Sequence, residues 1–436
     1  MGNLTQADRA ELKGLLQQRW ESLPPSTQTP LQMIGRTAVS CGATHHVMEK
    51  CNFSCTCCYL GPEANQTEPL PFEEVQEQLD HLRAELGPQG RVQITAGEVT
   101  LLPLADLGRI VQYGTSIGLD LMVMSHGQRF LDEPDYLIAL VRDYGLRKIS
   151  IHIDSTQRGR PGANGNTSER ELHRVREEMA QLVRRVRRDT GLPLYAASTV
   201  TVTNQNLEEM SEVMGWFFRN ADAFRILSFQ PVADVGRTRK GHSTAVLNSE
   251  LWKQVFTAAQ RSFNTQPVLF GHSKCNNVIP LLVARAKDRC FIFEGLRKGD
   301  EDDLEMFSLV MAGFLEHVDW DRGVRGILSV IFTPSFFVAF CRWAFIRMLA
   351  ERKRIRAFLH ACWQTRSLPR LHPFLLVAHN FMSPSDLTTE EGKERLDACM
   401  FKLSVDGKLV SMCEMNASEL RSSLDRRQIN KEPSIA

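Results

Sequence analysis

Four of the chain's eleven cysteines fall within eight residues, in the run Cys51-Asn-Phe-Ser-Cys55-Thr-Cys57-Cys58. Three of them, Cys51, Cys55 and Cys58, are spaced C-x3-C-x2-C. Thiolates are soft ligands that select iron–sulfur clusters, zinc or copper. Zinc sites usually pair C-x2–4-C halves, a different spacing. Three thiolates on one loop can hold three corners of a [4Fe–4S] cube and leave the fourth iron open. A cluster that only carries electrons is closed by four cysteines, so an open corner implies a small-molecule ligand. The alternatives are a structural zinc knuckle or a group of buried thiols.

The elements around this loop follow from hydrophobic periodicity. Residues 5–22 read as a short helix capped by Thr5, and the Pro/Ser/Thr stretch 23–30 reads as a linker. An extended run from His45 to Lys50 leads into the cysteine loop. Phe72, Val75, Leu79, Leu82 and Leu86 share one helical face, with Gly87 as the stop. Strands at 91–96, 119–124, 147–153, 194–203 and 223–230 then alternate with helices at 103–114, 132–143, 167–189 and 206–219. Six strands alternating with helices specify a parallel sheet with right-handed crossovers. The site of such a sheet lies at the C-terminal ends of its strands.

Those ends carry polar groups in order. Thr95-Ala96-Gly97-Glu98-Val99-Thr100 follows the second strand, Met124-Ser125-His126-Gly127 the third, and His152-Ile-Asp154-Ser155 the fourth. Singly, each has a plain reading: Gly97-Glu98 as a turn, Asp154 as a helix cap. Together with the C-x3-C-x2-C loop they resemble the radical S-adenosylmethionine (SAM) superfamily. The resemblance implies a partial (β/α)6 barrel over 43–237 and a [4Fe–4S] cluster on Cys51, Cys55 and Cys58. It also implies a bound SAM that is cleaved to a 5′-deoxyadenosyl radical, which abstracts hydrogen from a substrate. By the same resemblance Gly97 and Glu98 stand in the Gly-Gly-Glu-Pro motif that holds the methionine ammonium, with Ala96 and Val99 as departures. Ser125, Asp154 and Ser155 take the places of the SAM-facing polar groups. Cys57 stands where relatives often carry an aromatic residue.

Residues 238–436 read as an α+β extension, and residues 1–42 as an N-terminal helix and linker. In the extension Cys399 and Cys413 bracket two alternating runs joined by Asp406-Gly407, which predicts a hairpin with both cysteines near its open end. This hairpin resembles the C-terminal cluster hairpin of the molybdopterin-precursor cyclase, with Leu396 where a further cysteine is usual, and the wider pattern of His379-Asn-Phe-Met, Cys399, Asp406-Gly407-Lys408 and Cys413 resembles the tetraether lipid synthase branch. It implies an auxiliary iron–sulfur cluster on Cys275, Cys399 and Cys413, with Cys290 as the next candidate. The alternative is that these are buried thiols, as we read Cys41, Cys341 and Cys362. Residues 326–349 form an apolar run interrupted by Pro334, Arg342 and Arg347, and a basic flank follows at 351–356. The interruptions argue against a transmembrane span. A helical cap over the barrel mouth and a helix lying in a membrane interface both suit it.

The 436 residues are 43% hydrophobic and 24% charged, with a formal net charge of +1. That describes a globular chain of about two domains and gives no reason to expect a nucleic-acid partner. The polar stretch Met1–Trp20 lacks the apolar run of a signal peptide, and clustered cysteines suit a reducing cytoplasm. The expectation is a cytoplasmic enzyme, peripheral at the inner membrane face if the apolar segment meets lipid. It would take electrons from a low-potential donor and act on a small molecule or a lipid. A peptide-modifying radical SAM enzyme and a non-catalytic iron–sulfur protein are the other readings. No catalytic side chain is distinguished by sequence.

Overall fold

Six strands, β1 (Cys41–Ala43), β2 (Arg91–Ile94), β3 (Asp120–Ser125), β4 (Lys148–His152), β5 (Tyr195–Val202) and β6 (Phe224–Pro231), lie side by side in sequence order, all parallel. They curl into a partial (β/α)6 barrel. The structure, a computed structural model, describes residues 4–238, 248–297, 300–307 and 334–430. Before β1 comes α1 (Gln6–Glu21), where Thr5 and Asp8 form a reciprocal capping box. The barrel helices are α2 (Phe72–Leu86), α3 (Leu104–Ser116), α4 (Gln128–Asp132), α5 (Pro134–Arg142), α6 (His173–Thr190) and α7 (Met210–Arg219). Their apolar faces pack on the sheet around fully buried Leu79, Leu107, Phe130, Phe217 and Phe224.

Three local expectations shift, each for a visible reason. The first strand is Cys41–Ala43 rather than His45–Lys50. Residues 44–50 leave the ladder because their polar groups have other partners: the backbone N–H groups of His45 and His46 donate to Gln78 and Glu49, and His46 takes a left-handed φ of 55°. The helix expected at 132–143 begins at Pro134, a residue suited to a helix's first turn, and a separate short helix, Gln128–Asp132, precedes it. The helix expected from 167 begins at His173, after a turn in which Glu171 accepts from the backbone and hydroxyl of Ser168.

The second half of the chain extends the same sheet at both edges. Beyond β6 lie β9 (Arg370–His379), parallel to it, and then the antiparallel pair β7 (Asn276–Ala286) and β8 (Arg289–Glu294). Beyond β1 lie β10 (Phe401–Val405), parallel to it, and β11 (Lys408–Ser411). The β10–β11 hairpin turns at Asp406 (φ 49°) and Gly407 (φ 71°), the paired left-handed residues of a two-residue hairpin loop. The further helices are α8 (Asn248–Ala259), α9 (Pro334–Ala350), α10 (Arg352–Thr365), α11 (Glu390–Asp397), α12 (Met412–Ala417) and α13 (Leu420–Ile429).

Of the apolar run at 326–349, residues 326–333 lie outside the described residues; the rest forms α9. With α10 it stands away from the barrel mouth. Phe358, Ala361 and Cys362 of α10 pack on Ala284, Ala286, Phe291 and Phe293 of β7 and β8. The side of α9 turned to the protein is polar: Trp343 Nε1 donates to Asp303 Oδ1 at 2.7 Å, and Arg347 lies 3.5 Å from the same carboxylate. The helical cap expected as one reading is therefore not what α9 forms, because β7 and β8 carry the helix pair to the far edge of the sheet. No helix among the described residues is long and apolar enough to cross a membrane.

Candidate active site

The cysteine loop lies over the C-terminal ends of the barrel strands and is fastened on three sides. Ser54 and Thr56 donate backbone N–H groups to the carbonyls of Arg158 and Thr156, each at 2.9 Å. The carboxamide of Asn65 accepts from Cys51 N at 3.1 Å. Arg237 donates its N–H to the Cys58 carbonyl at 2.8 Å and points its guanidinium at Cys58 Sγ, 3.8 Å away. Between Cys51 and Cys55, Phe53 stacks on His126 with ring centroids 3.8 Å apart, and the guanidinium of Arg160 covers Phe53 at 5.2 Å.

Gly97 explains how the loop is aimed. Its N–H donates to Met48 O and that of Glu98 to Lys50 O, both at 2.9 Å, so the segment entering Cys51 is laid along the end of β2. A Cβ on Gly97 would sit 2.1 Å from Glu49 O. Only glycine permits that approach.

Cys51, Cys55 and Cys58 line one cavity of ≈ 200 Å³, together with Cys57, Gly97, Glu98 and Ser125. Burial pushes the Cys51 and Cys57 thiols up to about 11 and raises Cys55 further. Among the described residues no group of three potential ligands is tight enough for one metal ion. Three soft thiol donors converging on one cavity fit an iron–sulfur cluster.

Glu98 is 1% exposed and takes four protein donors. Its Oε1 accepts from Ser125 Oγ at 2.8 Å and from Thr100 N and Oγ1; its Oε2 accepts from His126 N at 2.8 Å. Among the described residues no lysine or arginine forms an ion pair with it. Its nearest basic group, His126 at 3.2 Å, is held neutral because burial pushes its pKa down to about 4. Gln128 N donates to His126 Nδ1, which leaves the proton on Nε2 facing Asn52 Oδ1 at 2.8 Å. Thus Glu98 is a hydrogen-bonded buried carboxylate with no side-chain cation to balance it.

Asp154 and Ser155 do not line the cavity. Asp154 is buried and accepts from His152 Nε2, Thr156 N and Thr201 N. Burial opposes its ionisation, yet His152 and these donors hold it well below the usual carboxylate range. It ties β4 to β5 and to Thr156, on whose carbonyl the cysteine loop rests. His152, with Ser150 before it and Gln157 after it, faces the cavity. Ser155 instead donates its N–H to Glu169.

Cys275, Cys399 and Cys413 are brought together from three separate segments. Burial raises the Cys275 thiol and pushes Cys413 up to about 12, and the neighbouring Cys399 adds to both shifts. Arg395 Nε donates to Cys275 Sγ at 3.4 Å. Cys413 lines the same cavity as the cysteine loop, beside Phe381, Met382, Phe401 and Met412. Cys290 is elsewhere, paired across β7–β8 with Arg285. Cys41 and Cys362 are packed into strand and helix contacts, and Cys341 is exposed on α9.

Behind the loop lies a buried polar network that sequence reading missed. His45 Nδ1 and His46 Nδ1 are 2.8 Å apart, His46 Nε2 reaches Asp425 Oδ1 at 2.7 Å, and Arg421 Nη1 lies 3.1 and 3.2 Å from the two oxygens of Glu49. Arg421 also covers the Tyr59 ring at 5.1 Å. Asp425 and Arg421 sit on α13, so nothing near the cysteines in sequence could have signalled them.

Residues 46–217 match the family model described as "Radical SAM superfamily". A curated relative, the 7,8-dihydro-6-hydroxymethylpterin dimethyltransferase of Methanocaldococcus jannaschii, is 24% identical over 194 residues, 44% of this chain and 36% of that protein. The chain thus spans about a third of that relative's length. Solved structures match as well, two of them of one enzyme. A polyhistidine-tagged anSMEcpe with bound AdoMet has 12% identity and a TM-score of 0.36, covering 50% of this chain and 58% of that one. Native anSMEcpe with bound AdoMet and a peptide has 13% identity and a TM-score of 0.35, covering 49% and 57%.

Proposed function

We propose that the chain, whose residues 46–217 match the radical SAM family model, cleaves SAM reductively and abstracts hydrogen from an unactivated carbon of a substrate held in the same cavity. The observation that carries this reading is the convergence of Cys51, Cys55 and Cys58 on a cavity whose wall includes the unpaired carboxylate of Glu98. Cys51, Cys55 and Cys58 would hold a [4Fe–4S] cluster, which would supply the electron transfer and radical chemistry when SAM is bound. The chain's own residues do the positioning. Gly97 lays the loop entry against β2, and Phe53 clamped between His126 and Arg160 fixes the turn between the first two thiols. Glu98, oriented by Ser125, Thr100 and His126, is placed to receive SAM's ammonium. A cation there completes a buried carboxylate otherwise balanced only by hydrogen bonds. His152, held by Asp154, offers a ring nitrogen to the polar part of SAM.

Cys275, Cys399 and Cys413 hold an auxiliary iron–sulfur cluster in this reading, with Arg395 offsetting thiolate charge. The substrate is a lipid, and the support is local: Phe381, Met382, Phe401 and Met412 make an apolar wall beside Cys413, suited to a hydrocarbon chain. Such a substrate is met at a membrane surface, with electrons from a low-potential donor. Anaerobic reconstitution with iron and sulfide, then SAM and dithionite, tests the core of this proposal. The wild type forms 5′-deoxyadenosine; a variant with Cys51, Cys55 and Cys58 all changed to Ala does not. A wild type that binds a full cube yet forms none overturns the reading.

A further inference from the structure

The apolar side chains this protein exposes are concentrated in one place. Among the described residues, nine of the thirteen exposed large hydrophobic side chains fall between positions 337 and 371. On α9 the exposed positions Val338, Phe345, Met348 and Leu349 recur at helical spacing and share one face, while the charged Arg347 is buried on the other. The helix is inverted relative to an ordinary surface helix, which turns its apolar stripe to the core. On α10, Trp363 is 77% exposed and stands one turn from Leu359 on the outward face, opposite the side that packs on β7 and β8. Beyond it, Leu368 is 84% exposed.

Basic groups border this surface. From 342 to 370 the chain carries eight lysines and arginines and one acid, Glu351. Arg352, Lys353, Arg356, Arg366 and Arg370 are exposed, and none has an acidic partner among the described residues. Glu351 itself is taken by Arg261 at 3.0 Å.

We infer that α9 and α10 form a docking face for an anionic lipid bilayer. An isolated apolar patch of this kind marks an interaction site, and its charge decides the occupant. Two copies meeting through this face would set like charges against one another, which is disfavoured in an isologous pair. An anionic surface complements all five free cations, while Phe345 and Trp363 enter the headgroup region where such rings settle. The face lies at the β8 edge of the sheet, outside the cavity, so it attaches the protein without entering the chemistry. The inference deepens the lipid-substrate reading by naming the surface that meets the membrane, and rests on that reading only for its biological purpose.

The test uses the full chain with vesicles of phosphatidylglycerol mixed with phosphatidylcholine, and of phosphatidylcholine alone, read by co-sedimentation. The wild type should sediment with the anionic vesicles, more weakly as salt rises, and poorly with phosphatidylcholine. Changing Phe345, Met348 and Trp363 together to Ser should lower partitioning by about tenfold or more. Arg352→Glu, Lys353→Glu and Arg356→Glu alter exposed side chains only and should abolish the preference for anionic lipid. Both variants should keep wild-type circular dichroism and 5′-deoxyadenosine formation. A wild type that ignores anionic vesicles at low salt overturns the inference. So does a charge-reversed variant that binds like wild type, or a dimer that the Ser variant converts to monomer without any vesicle binding. Vesicle binding by a protein that does not cleave SAM would leave this face standing and remove the radical reading instead.

Discussion

Gly97→Ala is a single-methyl perturbation aimed at the seat of the cysteine loop. The new Cβ would lie 2.1 Å from Glu49 O, 2.5 Å from Glu49 C and 2.6 Å from Lys50 O. These are backbone atoms, so no side chain can swing aside. Restoring ordinary contact takes a retreat of about 1.3 Å, two residues ahead of Cys51. The same movement weakens the hydrogen bonds from Gly97 N to Met48 O and from Glu98 N to Lys50 O, both 2.9 Å. Overpacking of this kind costs about 1–3 kcal/mol, and a displacement near 1 Å at a reacting centre costs about 100-fold in rate. We expect a melting temperature lower by a few degrees and 5′-deoxyadenosine formation slowed by about two orders of magnitude. Iron content after reconstitution should be reduced. Gly14→Ala is the control: it lies in α1 with nothing within 4 Å of its would-be Cβ, and should be neutral or slightly stabilising. Wild-type turnover and iron content in Gly97→Ala would refute the claim that this glycine sets the loop.

Single Ala substitutions at Cys51, Cys55 or Cys58 should each abolish 5′-deoxyadenosine formation, while Cys57→Ala keeps most of it; the reverse result for Cys57 and Cys58 would shift the ligand register. Reconstituted wild type should hold about eight irons, falling to about four with SAM cleavage largely kept when Cys399 and Cys413 are both replaced by Ala; a wild-type count near four would remove the auxiliary cluster. Arg421→Ala leaves Glu49 buried without its partner and should cost about 3–5 kcal/mol in denaturant unfolding, more than Arg427→Ala on the exposed side of the same helix. His45 is pushed down to about 4 by burial and by the adjacent His46. The unfolded chain takes up this proton below about pH 6.5 and the native state does not until about 4, so stability is lost as pH falls through that window. The urea midpoint should drop between pH 7 and 5, and less steeply in His45→Gln.

The barrel was legible because its signals are local. Strand and helix periods, Gly87 and Gly97 at turns, and the hairpin at Asp406-Gly407 all lie within a few residues of what they determine. The cysteine triplet was legible for the same reason. Asp154 shows the limit: its residue type and strand-end position suit a cavity wall, but its carboxylate is consumed by Thr156 N and Thr201 N, a choice made between strands. His126 and His152 were visible at strand ends without any mark of which nitrogen would face what. The network of His46, Asp425, Arg421 and Glu49 joins positions too distant in the chain for any pattern to connect. The inverted burial of α9 was likewise hidden, since a uniformly apolar run does not say which face is covered.

The strand that feeds the cysteine loop, β1, is three residues long and lies between β2 and β10. One of its neighbours is therefore made early in synthesis and the other late. The contact between His46 and Asp425 spans 379 residues. A nascent chain emerging from the ribosome carries Cys51, Cys55 and Cys58 through most of its elongation with β1 as an uncovered edge and the network behind the loop unbuilt. Contacts this distant in sequence form slowly, and open edges invite association during the wait. The geometry described here is complete only after residue 425 has been added. The seating of the loop is thereby timed by completion of α13 rather than by the appearance of the three cysteines.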